Sequence, residues 1–213
     1  EFWLIGIGSA ITTAVHDNQP IRTVGREYHS LLGGAMVSAP DIRGVGPVFM
    51  VGACFDALAP RSDLWADFPN GLLTLPRFLF TISGRERWLT VNTIVRPGGD
   101  PEAEVAKATT ELEALTPGSP TYMEQPHIHS ETQSTPGQWT RSVRRALGAI
   151  ESGQLTKVEL SRKVTLYGDG EFSLEIALAR LSSAYPGCAV FAMDNGGSSF
   201  LGASPEVLVR LER

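Results

Sequence analysis

The chain has 213 residues, 42% of them hydrophobic and 19% charged, which is typical of one globular domain or two small ones. Its net charge of -5 argues against nucleic acid as the main partner, because nucleic-acid-binding proteins usually carry a basic stripe. Its apolar runs fall short of the ~18 residues that span a bilayer, so we expect no membrane segment.

The cysteines indicate the cellular compartment, and the first residue indicates whether the sequence starts at the beginning of the protein. Cys54 and Cys188 are too few and too far apart to indicate a disulfide framework, so we expect a cytoplasmic protein. The first residue is Glu1, and the apolar run after it lacks the basic leader of a signal peptide. That run already resembles a strand, and we expect that sequence is missing at both ends.

The first 115 residues form the predicted N-terminal subdomain, which mixes strands with helices. Gly84-Arg85-Glu86 predicts a hairpin turn, and Asp100 followed by Pro101 predicts the start of a helix. Pro76 is expected at an edge or a bulge, because proline cannot donate a hydrogen bond in a sheet. The predicted strands are 2–15, 48–55, 72–82 and 88–95, and the predicted helices are 23–37 and 101–115.

Residues 116–137 are polar and rich in Pro, Ser and Thr, which predicts a linker before the remaining part, residues 138–213. Strand runs with interspersed helices predict an α+β fold, with large antiparallel or mixed sheets flanked by helices. In the last part we predict a helix over 138–152 capped by Gly153, a strand over 157–166, a helix over 173–183, a hairpin of 188–193 and 199–203, and a strand from Val207 to Leu211.

Two short motifs have functional interpretations that the sequence does not favour. Gly6-x-Gly8 is similar to part of a dinucleotide fingerprint, but the third glycine is absent and His16 to Pro20 ends the run before a helix could follow. His127-x-His129 offers two metal ligands without further ligands at suitable spacing, and zinc needs three or four. We expect these histidines to lie in a solvated loop.

Lys157 and Glu206 each allow a structural and a chemical interpretation. Lys157, Glu159 and Ser161 would share one face of the predicted strand, and that face could simply be solvated. Ser204-Pro205-Glu206 could open a short helical turn, with serine as its cap. A lysine and a glutamate are also the base and the acid that an exchange of hydroxyl positions requires.

The sequences around these two residues resemble the chorismate-utilising enzymes, a family that includes isochorismate, salicylate and anthranilate synthases. Lys157 to Arg162 is similar to the family's Lys-Val-Val-Leu-(Ser/Ala)-Arg segment, with Glu159 in place of a valine. Gly202 to Leu208 is similar to its Gly-x-Ser-Pro-Glu-x-Leu segment. The resemblance implies the first part of the anthranilate synthase component I-like fold.

A looser similarity in the N-terminal part points to the isochorismate synthase branch of the family. It rests on Gly52 to Asp56, Leu75 to Arg77 and Trp88 to Thr90. Ammonia-using anthranilate synthases typically carry glutamine at the position of Lys157, whereas water-using members keep the lysine. The resemblance therefore implies conversion of chorismate to isochorismate, serving menaquinone or siderophore biosynthesis.

By resemblance, Lys157 takes a proton from the water that attacks C2 of chorismate, and Glu206 protonates the departing C4 hydroxyl. Ser204 and Ala203 are the implied substrate contacts. The ordinary pKa of a lysine, ~10.4, must fall toward 7 for such a base, and burial favours this change. A negative charge on Glu159 would oppose it.

The resemblance also implies Mg²⁺, held by acidic ligands that we expect beyond Arg213, and therefore no metal ligands within this chain. The chain alone is then expected to hold both acid-base groups without a complete site. Two alternatives remain open. One is a salicylate synthase, which goes on to eliminate pyruvate; the other is a non-catalytic fragment that acts as a binding module.

Overall fold

The computed structural model describes residues 2–59, 62–115, 126–133 and 135–209. The chain divides into two compact units, Glu1–Ser119 and Pro120–Arg213. The first contains β1 (Phe2–Val15), α1 (Pro20–Gly33), β2 (Met50–Ala53), a 3₁₀ turn (Asp63–Trp65), β3 (Gly71–Ser83), β4 (Glu86–Val91) and α2 (Pro101–Glu113). The second contains β5 (Ile128–Gln133), α3 (Pro136–Glu151), β6 (Val164–Gly168), α4 (Leu174–Ala184), β7 (Ala189–Asp194) and β8 (Ser199–Ser204). The α+β fold class is confirmed.

The sheet of the first unit is built around β3. β1 pairs antiparallel with nearly the whole length of β3, while β2 and β4 share its other edge. β2 pairs with Gly71 to Thr74, and β4 pairs with Phe78 to Ser83. The β3–β4 connection turns at Gly84, where φ is +59°, so the predicted hairpin is confirmed.

Pro76 lies in the middle of the central strand, at the place where a proline does least harm. On one side it faces Ser9, next to the bulge between Ser9 and Ile11. On the other side it falls in the gap between β2 and β4, where Asn92 donates its side-chain amide to the Pro76 carbonyl at 2.8 Å. An edge or a bulge was expected for Pro76, and the structure has a bulge on the β1 side and, on the other side, a gap that acts as a local edge inside the sheet.

Gly6 and Gly8 serve the packing of β1 and open no nucleotide-binding loop. A Cβ atom on Gly6 would lie 2.8 Å from Cγ of Pro76, so the proline ring requires a glycine there. Gly8 has a φ of +61°, which favours glycine. β1 continues to Val15, and α1 begins only at Pro20, so the strand–turn–helix context of the fingerprint is missing.

The core of the first unit forms where α1 covers the sheet. Val15, Val24 and Leu73 are buried together, with Leu31 and Phe49 packed against them. α1 begins three residues before the predicted start because proline suits the first helical position. It ends at Gly33, where two successive glycines weaken the helix before the predicted end.

α2 is tied to the sheet by an ion pair. Arg77 Nε lies 2.8 Å from Glu111 Oε2, and the same guanidinium donates to the Asn92 carbonyl at 3.0 Å. Asp100 caps the helix by accepting from the Glu102 amide, as the sequence predicts. β4 stops at Val91, earlier than predicted, because Asn92 leaves the ladder to bond the Arg77 and Pro76 carbonyls.

In the second unit, β5 and β6 pair antiparallel, and two predictions need correction there. Residues 128–133, placed in the linker by the sequence, form β5. The predicted strand 157–166 is wrong over 157–163, because β6 begins at Val164. The last pair of the ladder is Gln133 with Val164. The chain beyond Gln133 soon enters α3, so β5 offers no partner to the residues before Val164.

The helices and the hairpin of the second unit agree with their sequence signals. Thr135 and Gln138 form a capping box at the start of α3. Ser173 caps α4, and β7 and β8 form the predicted hairpin. The predicted strand over 207–211 is not found for Val207 to Val209, which are exposed outside any ladder; its last two residues lie outside the described residues. No helix among the described residues is long and apolar enough to span a membrane.

We predict that Asn92→Ala lowers the free energy of unfolding by roughly 1–3 kcal/mol, because the buried Pro76 carbonyl loses its donor. Urea denaturation of the intact protein measures the change. Asn18→Ala, in an exposed turn, is the matched control and should stay within about 0.5 kcal/mol of the parent. Equal stabilities for the two variants would contradict the role given to Asn92.

Candidate active site

The end of α3 determines the path of the chain toward Lys157. Gly153, with a φ of +74°, donates its amide to the Ile150 carbonyl, and Gln154 donates to the Ala149 carbonyl. These two bonds form the Schellman arrangement that ends many helices. Ser152 is the cap and Gly153 the residue after it, so the predicted glycine stop is confirmed within one position. Lys157 follows within four residues of this turn.

Lys157 forms an ion pair with Glu159. Lys157 Nζ lies 2.6 Å from Glu159 Oε1, and the two side chains are 76% and 75% exposed. The hydrogen bond and the charge of Glu159 raise the pKa of Lys157, and Lys157 in turn lowers the pKa of Glu159. The sequence predicts that Lys157 and Glu159 lie on the same face of a strand. Their side chains are in contact, but this segment is not a strand. The lysine is held as an ammonium ion, which is the opposite of what a general base needs.

Ala203 and Ser204 are the last residues of β8, and Glu206 follows two positions after its end. Ala203 pairs with Val190 and Ser204 with Ala189 on the neighbouring strand. The Ser204 hydroxyl accepts a hydrogen bond from the Glu206 amide at 3.2 Å, a local turn typical of serine. The Glu206 side chain is exposed. The structure therefore fixes the backbone of Glu206 through Ser204 and leaves its carboxyl in water.

Lys157 and Glu206 belong to the same unit, but the described residues form no bond between them. Ser173 is the one buried residue among those described in this unit. Neither Lys157 nor Glu206 is therefore desolvated. The roles predicted for Lys157, Glu206, Ser204 and Ala203 stay predictions.

The described residues provide no cluster suited to a metal ion. No three side chains of the types His, Cys, Asp or Glu converge within that part of the chain. His127 and His129 are exposed, and the second lies in β5 rather than in a loop. Mg²⁺ prefers several oxygen ligands, whereas the side chains of His127 and His129 offer only nitrogen.

A groove in the first unit, about 890 Å³ in volume, was not anticipated from the sequence. Its charged lining residues are Arg77, Arg96, Glu104, Lys107 and Glu111. The Arg77 guanidinium is already engaged by Glu111 and the Asn92 carbonyl. No local pattern could have signalled this, because the paired residues come from a strand and a helix far apart in sequence.

The family model described as "Chorismate binding enzyme" matches residues 1–213. An isochorismate synthase of Bacillus subtilis is 31% identical over 173 residues, covering 78% of this chain and 35% of that protein. A salicylate biosynthesis isochorismate synthase of Pseudomonas aeruginosa is 28% identical over 211 residues, covering 96% of this chain and 42% of that protein. The chain thus spans well under half the length of these relatives.

The fold has a counterpart among solved structures. Anthranilate synthase component I from Streptococcus pneumoniae superposes with a TM-score of 0.71 over 96% of this chain and 50% of that one, at 14% identity. At this identity the likeness shows the fold alone, and it confirms the predicted one. With the family model matched from end to end, this chain belongs to the chorismate-binding enzyme family.

Proposed function

We propose that the protein containing this chain is an isochorismate synthase, which converts chorismate to isochorismate. The observation that carries the proposal is the match to two relatives named isochorismate synthase, from Bacillus subtilis and Pseudomonas aeruginosa. Lys157 supports it, because a water-using member needs a base at this position and an amide could not serve as one. Menaquinone or siderophore biosynthesis is the use that we propose for the product.

In the proposed reaction, a water molecule attacks C2 of chorismate while both conjugated ring double bonds shift and the C4 hydroxyl departs. Lys157 takes one proton from the water, and Glu206 gives one proton to the departing hydroxyl. Substrate and product are isomers, so one water enters and one leaves. A proton must then pass from the lysine to the glutamate to restore the starting state.

The Lys157–Glu159 ion pair sets a condition on this mechanism. An exposed lysine is already protonated at neutral pH, and the 2.6 Å contact with Glu159 raises the pKa of Lys157 further. Turnover therefore requires the pair to separate and the amine to lose contact with water, since desolvation disfavours the charged lysine. With a valine at position 159, as in the family segment, only the loss of contact with water would be required.

The pKa of Glu206 must be raised, whereas that of Lys157 must be lowered, because an acid must hold its proton until the hydroxyl departs. Burial of a carboxyl favours the protonated form. The bond from the Glu206 amide to Ser204 aligns the backbone without using the carboxyl, which stays available to the substrate. We propose that Ser204 and Ala203 line the substrate site beside it.

Mg²⁺ belongs to the proposal as a cofactor of the whole protein. Acidic side chains would hold this hard cation through their oxygen atoms, and the cation would bind a carboxylate of the substrate. The described residues offer no such ligand cluster, so no role in the reaction is assigned to a metal held by this chain.

Incubation of the intact protein with chorismate and Mg²⁺ should yield isochorismate, identified by chromatography and mass spectrometry. Salicylate, detected by its fluorescence, would instead identify a salicylate synthase. Anthranilate formed in the presence of ammonia would contradict both assignments. Binding of chorismate without any product would favour the binding-module alternative.

Removal of either proposed proton carrier should reduce kcat by on the order of 10²- to 10⁴-fold, the usual contribution of general acid–base catalysis. The variants are Lys157→Ala and Glu206→Gln. Lys163→Ala and Glu171→Gln are the matched controls, because both residues are exposed in the same unit and have no proposed role. Turnover that is unchanged in Lys157→Ala would contradict its assignment as the base.

Replacement of the partner of Lys157 should move the pH profile. In Glu159→Gln the charge that raises the pKa of Lys157 is gone, so the neutral amine appears at lower pH. The rising limb of kcat/KM against pH should therefore shift to lower pH, as measured by steady-state kinetics. Glu151→Gln, at the exposed end of α3, should leave the limb in place. A shift of the Glu159→Gln limb to higher pH would contradict the argument.

A further inference from the structure

The aromatic ring of Phe191 lies against Gly202 across the β7–β8 hairpin. The two residues are direct partners in the antiparallel ladder. A Cβ atom on residue 202 would lie 2.9 Å from Cζ and 3.2 Å from Cε1 of the ring. Non-bonded carbon atoms pack best at about 3.5–4.0 Å, so any side chain at position 202 would displace the ring.

The backbone gives no separate reason for a glycine at position 202. Gly196, in the turn of the same hairpin, has a φ of +77°, a conformation that favours glycine. Gly202 lies in the regular ladder and has no positive φ. The Phe191 ring is therefore the local constraint that excludes a side chain at this position.

The ring of Phe191 also contacts a second aromatic ring. The ring centroids of Phe191 and Phe200 are 5.3 Å apart, and the ring planes are tilted by 57°. Phe200 pairs with Met193, one step along the same face of the hairpin. A ring pushed away from Gly202 would disturb this contact, which stabilises the hairpin.

This packing lies next to the proposed acid. Ser204 follows Gly202 by two residues on β8, and its hydroxyl accepts the bond from the Glu206 amide. A displacement of β8 at residue 202 would therefore also move Ser204 and, through its hydrogen bond, the backbone of Glu206. We propose that Phe191 and Gly202 form a positioning pair that sets the location of Ser204 and Glu206. The proposal rests on the role given to Glu206 in the proposed function.

The test is a double-mutant cycle in the intact protein, with kcat and KM for chorismate as readouts. Gly202→Ala should lower kcat on the order of ten- to a hundredfold, because small misplacements of a reacting group are costly, and should change KM much less. In the Phe191→Ala background, where the ring is gone, the same substitution should lower kcat less than about threefold, well below its effect in the parent. Equal costs in the two backgrounds would overturn the pair.

Gly187→Ala is the matched control, because a Cβ there meets no atom within 4 Å. It should leave kcat unchanged. In a Glu206→Gln background, Gly202→Ala should have no further effect on kcat, because the group it positions is already disabled. A further tenfold loss would show that Gly202 acts elsewhere and would overturn the positioning role.

Hydrogen exchange at the Glu206 amide separates this proposal from the proposed function, because it needs no turnover. Gly202→Ala should speed exchange at this amide relative to the parent, and adding Phe191→Ala should return the rate to that of the parent. If the parent makes no isochorismate but exchange follows this pattern, the proposed function fails and the positioning pair stands. If exchange does not respond to Gly202→Ala, the positioning pair fails whatever the activity.

Discussion

The first unit depends on one constraint, which is that the buried strand β3 must have hydrogen-bonding partners along both edges. β1 supplies one edge almost completely, but β2 and β4 leave a gap on the other. Pro76 occupies that gap, and Asn92 bonds the carbonyls of Pro76 and Arg77 across it. Gly6 leaves room for the proline ring on β1. Residues that are far apart in sequence thus supply the hydrogen bonds and the space that β3 requires.

The second unit is held by local signals more than by a core. A capping box, a Schellman turn and a serine cap determine where its helices begin and end. Among the residues that the structure describes there, each sheet has two strands and Ser173 is the one buried residue. Lys157 and Glu206 are both exposed. Their proposed chemistry needs the low-dielectric surroundings that shift lysine and carboxyl pKa values in opposite directions.

The family and the geometry together limit the mechanism. The chain belongs to the chorismate-binding enzyme family, the roles of Lys157 and Glu206 are proposed, and the structure adds what surrounds each of them. Glu159 stabilises the charged form of Lys157, so it acts against the proposed base unless the contact is broken. Ser204 aligns the backbone of Glu206. In the proposed positioning pair, the Phe191 ring on β7 lies against Gly202, two residues before Ser204 on β8. We therefore expect substitutions outside the acid–base pair to alter its alignment.

The sequence by itself determined the features that depend on neighbouring residues. Asp100 as a cap, Gly153 as a helix stop and the β7–β8 turn could all be predicted, because each involves residues a few positions apart. The motifs around Lys157 and Glu206 also identified the family. Only the tertiary structure decided where strands end, since a strand extends only as far as its partner.

That is why β6 begins at Val164 rather than at Lys157, and why β4 stops before Asn92. The same holds for the surroundings of each predicted site residue. The contact of Phe191 with Gly202 and the bond of Arg77 to Glu111 join residues that no local pattern connects. Burial and protonation depend on which atoms the fold brings near a group, and the order of the residues along the chain does not contain that information directly.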